Sequence, residues 1–238
     1  MLSLVKKVLN LGDMLVFIKQ FMKCTLRLLA RTDSKIIKDY YSNNRIRKLN
    51  IGAGGGGIPG WLNSDIEPKL RSIMYLDATQ TFPLPDCSFD YIFSEHMIEH
   101  VTYQNGKRMI LECYRVLKPG GLLRISTPDL SFLVDLYKDN KSEIQTQFIK
   151  DSTDTWLEVP YYSSVFVINN YVRAWGHQFI YDKEILHDLL IRCGFVNINT
   201  FEVLESNDKQ LSNLENVKRK SPGLIALESF SCEGTKPI

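Results

Sequence analysis

The sequence is poor in cysteine and histidine and has no long apolar run. Its five cysteines are odd in number, scattered and never spaced as C-x-x-C, which excludes a disulfide framework or a zinc knuckle. Lys6, Lys7 and Asp13 interrupt the N-terminal apolar segment, so it falls short of the roughly 20 apolar residues that span a bilayer. No small-residue cleavage site follows it, which disfavours a secretion signal. We expect a cytoplasmic protein.

What the chain does have is an uneven distribution of charge. Its 238 residues carry a formal net charge of only +2, but residues 1–48 hold eleven Lys and Arg against three Asp. Apolar residues recur at steps of three or four over residues 2–31, and Lys19, Lys23, Arg27 and Arg31 form a parallel ridge. This pattern predicts an amphipathic helical arm over 1–47. The arm either packs on protein or lies peripherally on an anionic membrane; we expect no nucleic acid partner.

From Lys48 onward the sequence alternates between short apolar runs and helical patterns, at about 104–118 and 182–193. This alternation predicts an α/β domain over 48–230 with a mostly parallel sheet, followed by a tail at 231–238. The last two apolar segments, Val196 to Val203 and Leu224 to Ser229, are predicted to be closing antiparallel strands. The other predicted strands are Leu49 to Ile51, Trp61 to Ser64, Ile73 to Leu76, Tyr91 to Phe93 and Leu122 to Ile125.

Residues 129–180 have a less regular apolar pattern, with aromatic side chains scattered among polar ones. This stretch follows the carboxyl end of a predicted strand, where open α/β sheets bind ligands. We therefore interpret it as an inserted lid over the substrate.

A glycine-rich turn follows the first predicted strand, in Asn50-Ile51-Gly52-Ala53-Gly54-Gly55-Gly56-Gly57. Glycine allows positive φ and a close backbone approach to a ligand. Asp65 ends the next strand, where a carboxylate can accept ribose hydroxyl protons. Asp77-Ala78 ends the third strand, where a side chain and a backbone N–H can form hydrogen bonds to the edge of an adenine. Three strand ends thus supply the parts of one nucleoside site.

The same elements, in this order, resemble class I S-adenosylmethionine-dependent methyltransferases. Phe89 to His96 and the Leu117-Lys118-Pro119-Gly120-Gly121 turn complete the match. The resemblance covers about 48–230 and implies a Rossmann-like seven-stranded sheet of order 3-2-1-4-5-7-6 with the last strand antiparallel. It implies S-adenosylmethionine as the cofactor, bound by Gly52, Ala53, Gly54, Asp65, Asp77, Ala78 and Ser94.

Ile58 to Asp65, Trp175-Gly176-His177 and Tyr181-Asp182 are similar to a bacterial subgroup that modifies polysaccharides and lipid-linked glycans. This resemblance implies O-methylation of a sugar, a glycolipid or another small hydroxyl acceptor. One departure is that only Gly54 to Gly60 separate the turn from Trp61, which is too short for a crossover helix. The first helix must therefore be short or missing, which makes Glu67 a rival to Asp65.

Methyl transfer to a hydroxyl needs a group that accepts the proton, and the chain offers four histidines. His96 directly follows the fourth strand and His177 lies in the predicted lid, so both are candidates for the catalytic base or for structural roles. His187 lies on an ordinary helix face.

His96, Glu99 and His100 have the i, i+3, i+4 spacing of one helix face and could hold a divalent metal with His177. The pattern is similar to one in metal-dependent O-methyltransferases, but His96 replaces a Glu, and many methyltransferases carry Glu-His here without a metal.

Two other functions begin from the same cofactor-binding pattern. An NAD(P)-dependent oxidoreductase also has a glycine turn and an acidic strand end, but the Lys-Pro-Gly-Gly turn and Asp77-Ala78 argue against it. A non-catalytic cofactor-binding module is favoured if the aromatic segment 156–175 packs away from the cofactor.

Overall fold

The computed structural model describes residues 27, 31–216 and 226–238, which fall into two compact units, 1–45 and 46–238. In the first unit, α1 spans Thr32–Asn43, and Arg27 forms an ion pair with Asp33. The rest of the predicted amphipathic stretch 2–31, apart from Arg27 and Arg31, lies outside the described residues. Among the residues described, no helix has the length and apolar character needed to cross a membrane.

The second unit is built on one seven-stranded sheet of order β3-β2-β1-β4-β5-β7-β6, which confirms the predicted fold. Strands β1 to β5 run parallel to one another, and β7 runs antiparallel to both β5 and β6. The strands are β1 Lys48–Ile51, β2 Leu62–Asp65, β3 Met74–Tyr75, β4 Phe89–Glu95, β5 Leu117–Pro128, β6 Val196–Phe201 and β7 Ser229–Thr235.

Five α-helices of six residues or more accompany this sheet in the part of the chain that the structure describes. The two that the sequence predicts are present as α2, Tyr103–Val116, and α6, Lys183–Arg192, within one or two residues of the expected bounds. The predicted lid contains three more helices, α3 Leu130–Asp135, α4 Glu143–Trp156 and α5 Ser164–Arg173. Ser142, the residue before α4, forms a reciprocal capping box with Gln145, and side-chain oxygens likewise cap the starts of the other four. The apolar faces of the lid helices enclose their own cluster around Phe148 and Tyr171.

Residues 52–61, between β1 and β2, contain no helix, as the short connection requires. Asn63 holds this loop: its Oδ1 accepts from Asn50 Nδ2 at 2.9 Å and from the Ile58 N–H at 2.8 Å, and its Nδ2 donates to the Ile58 carbonyl at 3.0 Å. Gly57 packs against this amide with φ +102°, and a Cβ there would lie 2.8 Å from Asn63 Cγ. The Asn63 amide thus fixes a loop at a position where two parallel strands are usually joined by a helix.

The prediction for the last strand was wrong. The final strand is Ser229–Thr235 and not the apolar run from Leu224 to Ser229, because residues 226–228 are helical. The strand therefore occupies most of the predicted tail, 231–238. It escaped detection because its central residues, Ser231, Cys232 and Glu233, are mostly polar yet buried.

A buried ionic network explains how these polar residues are accommodated. Arg124 of β5 is fully buried and donates to Glu215 Oε1 at 2.7 Å and to Glu233 Oε1 at 2.6 Å. Ser126 donates a further hydrogen bond to Glu215 at 2.7 Å. Glu215 also accepts from the Leu204 N–H at 3.0 Å, so the network ties the connection between β6 and β7 to the sheet.

The same connection covers the sheet beside the short β1–β2 loop. Leu211 is fully buried in a cluster with Trp61 and Phe93. Tyr91 donates to Asp208 at 3.1 Å, and Lys48 donates to Gln210 at 3.2 Å. An irregular segment therefore provides apolar cover over β4 and β5 and a polar contact to β1.

Candidate functional site

A cavity of about 350 Å³ lies at the carboxyl ends of β1, β2 and β3. Of the predicted cofactor residues, Gly52, Gly54, Asp65, Asp77 and Ala78 line it. Ala53 and Ser94 are not among the lining residues, and neither is Glu67, the rival of Asp65. Ser94 is buried within β4, one residue before Glu95, which does line the cavity. Met97, which the sequence analysis did not single out, is a further lining residue.

The glycine turn and Asp65 are joined by hydrogen bonds. Asp65 Oδ2 accepts from the Gly54 N–H at 2.8 Å, and Oδ1 accepts from the Glu67 N–H at 2.7 Å. Gly52 has φ +79°, and a Cβ on it would lie 2.8 Å from Cγ of Met97. The turn therefore needs glycine at position 52, and the backbone holds the Asp65 carboxylate at the cavity, where it can accept hydroxyl protons.

Asp77 lies two residues beyond the end of β3. Its Oδ1 accepts hydrogen bonds from the backbone N–H and the hydroxyl of Thr79, at 2.9 and 2.7 Å. Ala78, between them, is nearly buried. Asp65 and Asp77 thus each line the cavity with a carboxylate whose orientation is fixed by hydrogen bonds to neighbouring residues.

A second cavity of about 390 Å³ shares Glu95, His96 and His100 with the first. Three aromatic rings of the predicted lid form much of its apolar wall. Trp156 and Trp175 meet edge to face with ring centroids 5.5 Å apart, and Tyr171 and Trp175 with centroids 5.4 Å apart. The remaining lining residues are Glu99, Pro128, His177, Asn216 and Glu228. The lid aromatics thus face the space beside the first cavity.

His96 lies at the boundary between the two cavities. Its φ of +46° is unusual for a residue with a side chain, and its N–H bonds to the Ser126 carbonyl at 2.9 Å. Nδ1 lies 3.2 Å from Glu99 Oε1, and Nε2 lies 3.2 Å from the Ser229 hydroxyl. Burial alone would lower the pKa of His96, but the Glu99 bond and neighbouring carboxylates raise it overall. Burial would raise the pKa of Glu99, but His96 lowers it overall.

His177 has a different environment. Its Nδ1 lies 2.6 Å from the Tyr171 carbonyl oxygen, which can only accept, so Nδ1 carries the proton and Nε2 keeps its lone pair. Partial burial lowers the pKa of His177 and favours the neutral ring. Its ring packs edge to face on His100, with centroids 4.8 Å apart.

The predicted shared helix face for residues 96, 99 and 100 was wrong. His96 lies before a short 3₁₀ turn, Ile98–His100, with its backbone in the left-handed region. Glu99, His100 and His177 nevertheless come together, with one potential ligand atom from each within 4.8 Å of the others. His96 contacts this group through its hydrogen bond to Glu99.

Glu228 is a lining residue that sequence analysis missed. It is buried beside His96 and Glu99, and burial raises its pKa to about 7. It directly precedes β7, so its position depended on a strand that the sequence pattern did not reveal.

Comparisons with known proteins identify a methyltransferase domain. Residues 49–125 match a family model described as a methyltransferase domain. The phosphoethanolamine N-methyltransferase of Plasmodium falciparum is 23% identical over 158 residues, covering 58% of each chain. A probable S-adenosylmethionine-dependent methyltransferase of Mycolicibacterium smegmatis is 45% identical over 47 residues, covering 20% of this chain and 18% of that protein. The chain thus spans less than two thirds of either relative.

The fold also matches a solved structure. A crystal structure of an S-adenosylmethionine-dependent methyltransferase from Archaeoglobus fulgidus superposes with a TM-score of 0.50 at 16% identity, covering 88% of this chain and 94% of that one. At this identity the likeness concerns the fold.

Proposed function

Because the chain belongs to the class I S-adenosylmethionine-dependent methyltransferases, we propose that it methylates a hydroxyl of a small acceptor such as a sugar or glycolipid. The observation that carries this proposal is the pair of adjoining cavities with His96 in their common wall. One cavity has the nucleoside-binding residues and the other has an apolar aromatic wall with a few polar groups, as small-molecule sites do. An oxidoreductase is disfavoured by the family match.

In this proposal Asp65 binds the ribose, and Asp77 and Ala78 bind the adenine. S-adenosylmethionine, when bound, supplies a methyl group already activated on a sulfonium sulfur. The main tasks of the chain are then to place the acceptor and to accept its proton, and placement alone can lower the barrier by up to about 7–11 kcal/mol.

His96 is the better placed of the two predicted bases. The Glu99 carboxylate accepts a hydrogen bond from Nδ1, so the neutral ring keeps its lone pair on Nε2. Nε2 can take the acceptor's proton after exchanging its contact with Ser229. The proton ends on His96 and the methyl group on the acceptor oxygen. His177 lines the acceptor cavity but not the cofactor cavity, and it contributes to the wall of the acceptor cavity.

An amine acceptor is a second candidate, favoured by a specific observation. Glu95, Glu99 and Glu228 line the acceptor cavity with three aromatic rings, and carboxylates and aromatic faces both attract organic cations. The Plasmodium falciparum relative is named for N-methylation.

The test is methyl transfer from radiolabelled cofactor to a panel of small sugars, glycolipids, and primary and secondary amines. Labelled product among the hydroxyl compounds supports the proposal, and mass spectrometry identifies the methylated atom. Label found only on nitrogen would contradict hydroxyl methylation and support an amine acceptor. Cofactor binding with no transfer to any compound or to a cell extract supports a non-catalytic module.

We also propose that the basic arm brings the catalytic unit to an anionic membrane surface. The support is the excess of positive charge in residues 1–48 and the apolar stripe that accompanies it. A glycolipid acceptor would be found at such a surface.

A further inference from the structure

Three side chains in the acceptor cavity have the composition and spacing of a metal site. Glu99, His100 and His177 each place one ligand atom within 4.8 Å of the other two, and all three line the cavity. Atoms that bind one first-row metal ion at about 2.0–2.2 Å lie at most roughly twice that distance apart. Small rotations of the side chains would therefore bring the three ligands around one ion. We propose that Glu99, His100 and His177 bind a divalent transition-metal ion.

The groups around these side chains are those that orient metal ligands. A metal-bound histidine usually donates its other ring N–H to a carbonyl or carboxylate, and His177 Nδ1 lies 2.6 Å from the Tyr171 carbonyl oxygen. This contact leaves Nε2 as the ligand atom. Glu99 is fully buried, and it receives hydrogen bonds from His96 Nδ1 and from the Thr127 hydroxyl, both at 3.2 Å. Each carboxylate oxygen retains a further lone pair for an ion.

The donor set indicates which ion binds. Two imidazoles and one carboxylate suit Zn²⁺, Fe²⁺ or Co²⁺, whereas Mg²⁺ and Ca²⁺ prefer sites made of oxygen atoms. Three protein ligands leave a fourth position open, as in catalytic zinc sites. A positive ion here also offsets the burial of the Glu99 carboxylate.

The open position gives the ion a role in acceptor binding. This role, but not the binding of the metal itself, rests on the proposed function. An ion in the cavity wall would bind the acceptor's oxygen and lower the pKa of its hydroxyl, beside the ring of His96. The metal would polarise the hydroxyl oxygen, and His96 would accept the proton that this oxygen releases.

The experiment measures metal binding directly, on untagged full-length protein stripped with EDTA. Calorimetry with Zn²⁺ should show one site per chain, and equimolar Mg²⁺ should not compete. Addition of Co²⁺ should give visible d–d bands without a sulfur charge-transfer band, because the ligands are nitrogen and oxygen. His177→Gln and His100→Gln should each weaken Zn²⁺ binding at least about tenfold.

His187→Gln is the matched control, because His187 lies on α6 outside the cluster, and it should bind Zn²⁺ like the parent. Thermal unfolding of the metal-free variants checks that they fold. Equal Zn²⁺ affinity of the parent and both cluster variants would overturn the proposal, as would a charge-transfer band showing that Co²⁺ is held by a thiolate. Because none of these measurements uses methyl transfer, failure of the proposed function leaves their outcome unchanged.

Discussion

Nδ1 of His96 lies 3.2 Å from Oε1 of Glu99, which is the middle residue of the short 3₁₀ turn Ile98–His100 beside the cofactor cavity. The carboxylate is fully buried, while the ring is in reach of both cavities. Such a contact fixes the tautomer of the imidazole and its orientation, which a catalytic base requires.

This relationship leads to a prediction for His96→Asn. Asparagine tolerates the positive φ at this position better than alanine does, so the backbone should be retained while the base is lost. The turnover number should fall about 10²–10⁴-fold with cofactor affinity unchanged, as measured by initial rates and calorimetry. His187→Asn should retain parental turnover. Unchanged turnover in the His96 variant would assign the histidine a structural role.

The ribose assignment is tested by Asp65→Asn. The amide oxygen can still accept from the Gly54 N–H, but the charge that binds two hydroxyls is lost. Affinity for S-adenosylmethionine and S-adenosylhomocysteine should fall about tenfold to a hundredfold, since a hydrogen bond to a charged group contributes about 1.5–3 kcal/mol. Glu67→Gln, at the exposed rival position, should bind both compounds normally. If Glu67→Gln weakened binding and Asp65→Asn did not, the ribose ligand would be Glu67.

Loss of one partner from the buried ionic network should destabilise the protein strongly. Glu215→Ala leaves the buried Arg124 guanidinium with Glu233 as its one remaining carboxylate partner in the network, beside the Glu205 carbonyl, and such a change costs about 3–5 kcal/mol. The free energy of unfolding from urea titration measures this loss. Glu205→Ala, on the exposed side of the same segment, should have little effect. Similar losses in the two variants would show that the segment, and not the ion pair, is responsible.

A second ion pair makes stability depend on pH. Hydrogen bonds from Arg115 hold the pKa of Glu112 below its usual range. The folded-state pKa is thus lower than the unfolded value of about 4.3, so the stabilisation is complete above that pH and is lost as pH falls through the folded-state pKa. Glu112→Gln should reduce the free energy of unfolding by about 1.5 kcal/mol at neutral pH.

The effect of Glu112→Gln should shrink in acid, because the parent carboxylate then also loses its charge. Urea titrations at several pH values follow the difference. Glu158→Gln, at an exposed glutamate, should leave the stability unchanged throughout. A difference between Glu112→Gln and parent that stays constant into acid would show that shape, and not charge, matters at this position.

The membrane proposal predicts that the intact chain floats with anionic vesicles and not with neutral ones. Each basic residue near such a surface contributes about 1 kcal/mol, and added salt should weaken the binding. A variant with Lys19→Gln and Lys23→Gln should bind more weakly, and a chain starting at Asp33 should not bind. Equal flotation with neutral and anionic vesicles, or insolubility of the shortened chain, would favour packing of the arm on protein.

The cofactor side of the molecule could be predicted from sequence because its signals are local. Gly52, Gly54, Asp65 and Asp77 each lie at or just beyond a strand end, and parallel strands bring those ends to one edge. Ser94 was assigned from the family resemblance; it is buried in β4, and the neighbouring Glu95 lines the cavity.

The acceptor side depended on contacts that sequence spacing does not carry. Glu99 and His177 are far apart in the chain, and Glu228 is positioned by a strand whose polar residues concealed it. The burial of Glu233 is compensated by Arg124, and the Ser231 hydroxyl bonds to Ser126 and Glu215. No apolar pattern therefore marked that strand. The interruption of helical geometry at His96 also depends on a tertiary contact, its hydrogen bond to the Ser126 carbonyl.

The segment from the end of β6 to Asn216 links stability and specificity. It packs Leu211 against Phe93 of β4, carries Glu215 into the ionic network, and lets the Asn216 N–H donate to Glu95 at the acceptor cavity, at 2.8 Å. Replacing residues 49–125 as a block would therefore remove the partners of Leu211, Glu215 and Asn216. Substitutions in this segment that reshape the acceptor cavity should also perturb the cover of the central strands. We expect acceptor preference to change more freely at Trp156 and Trp175, which line the cavity and are not part of the lid's core cluster.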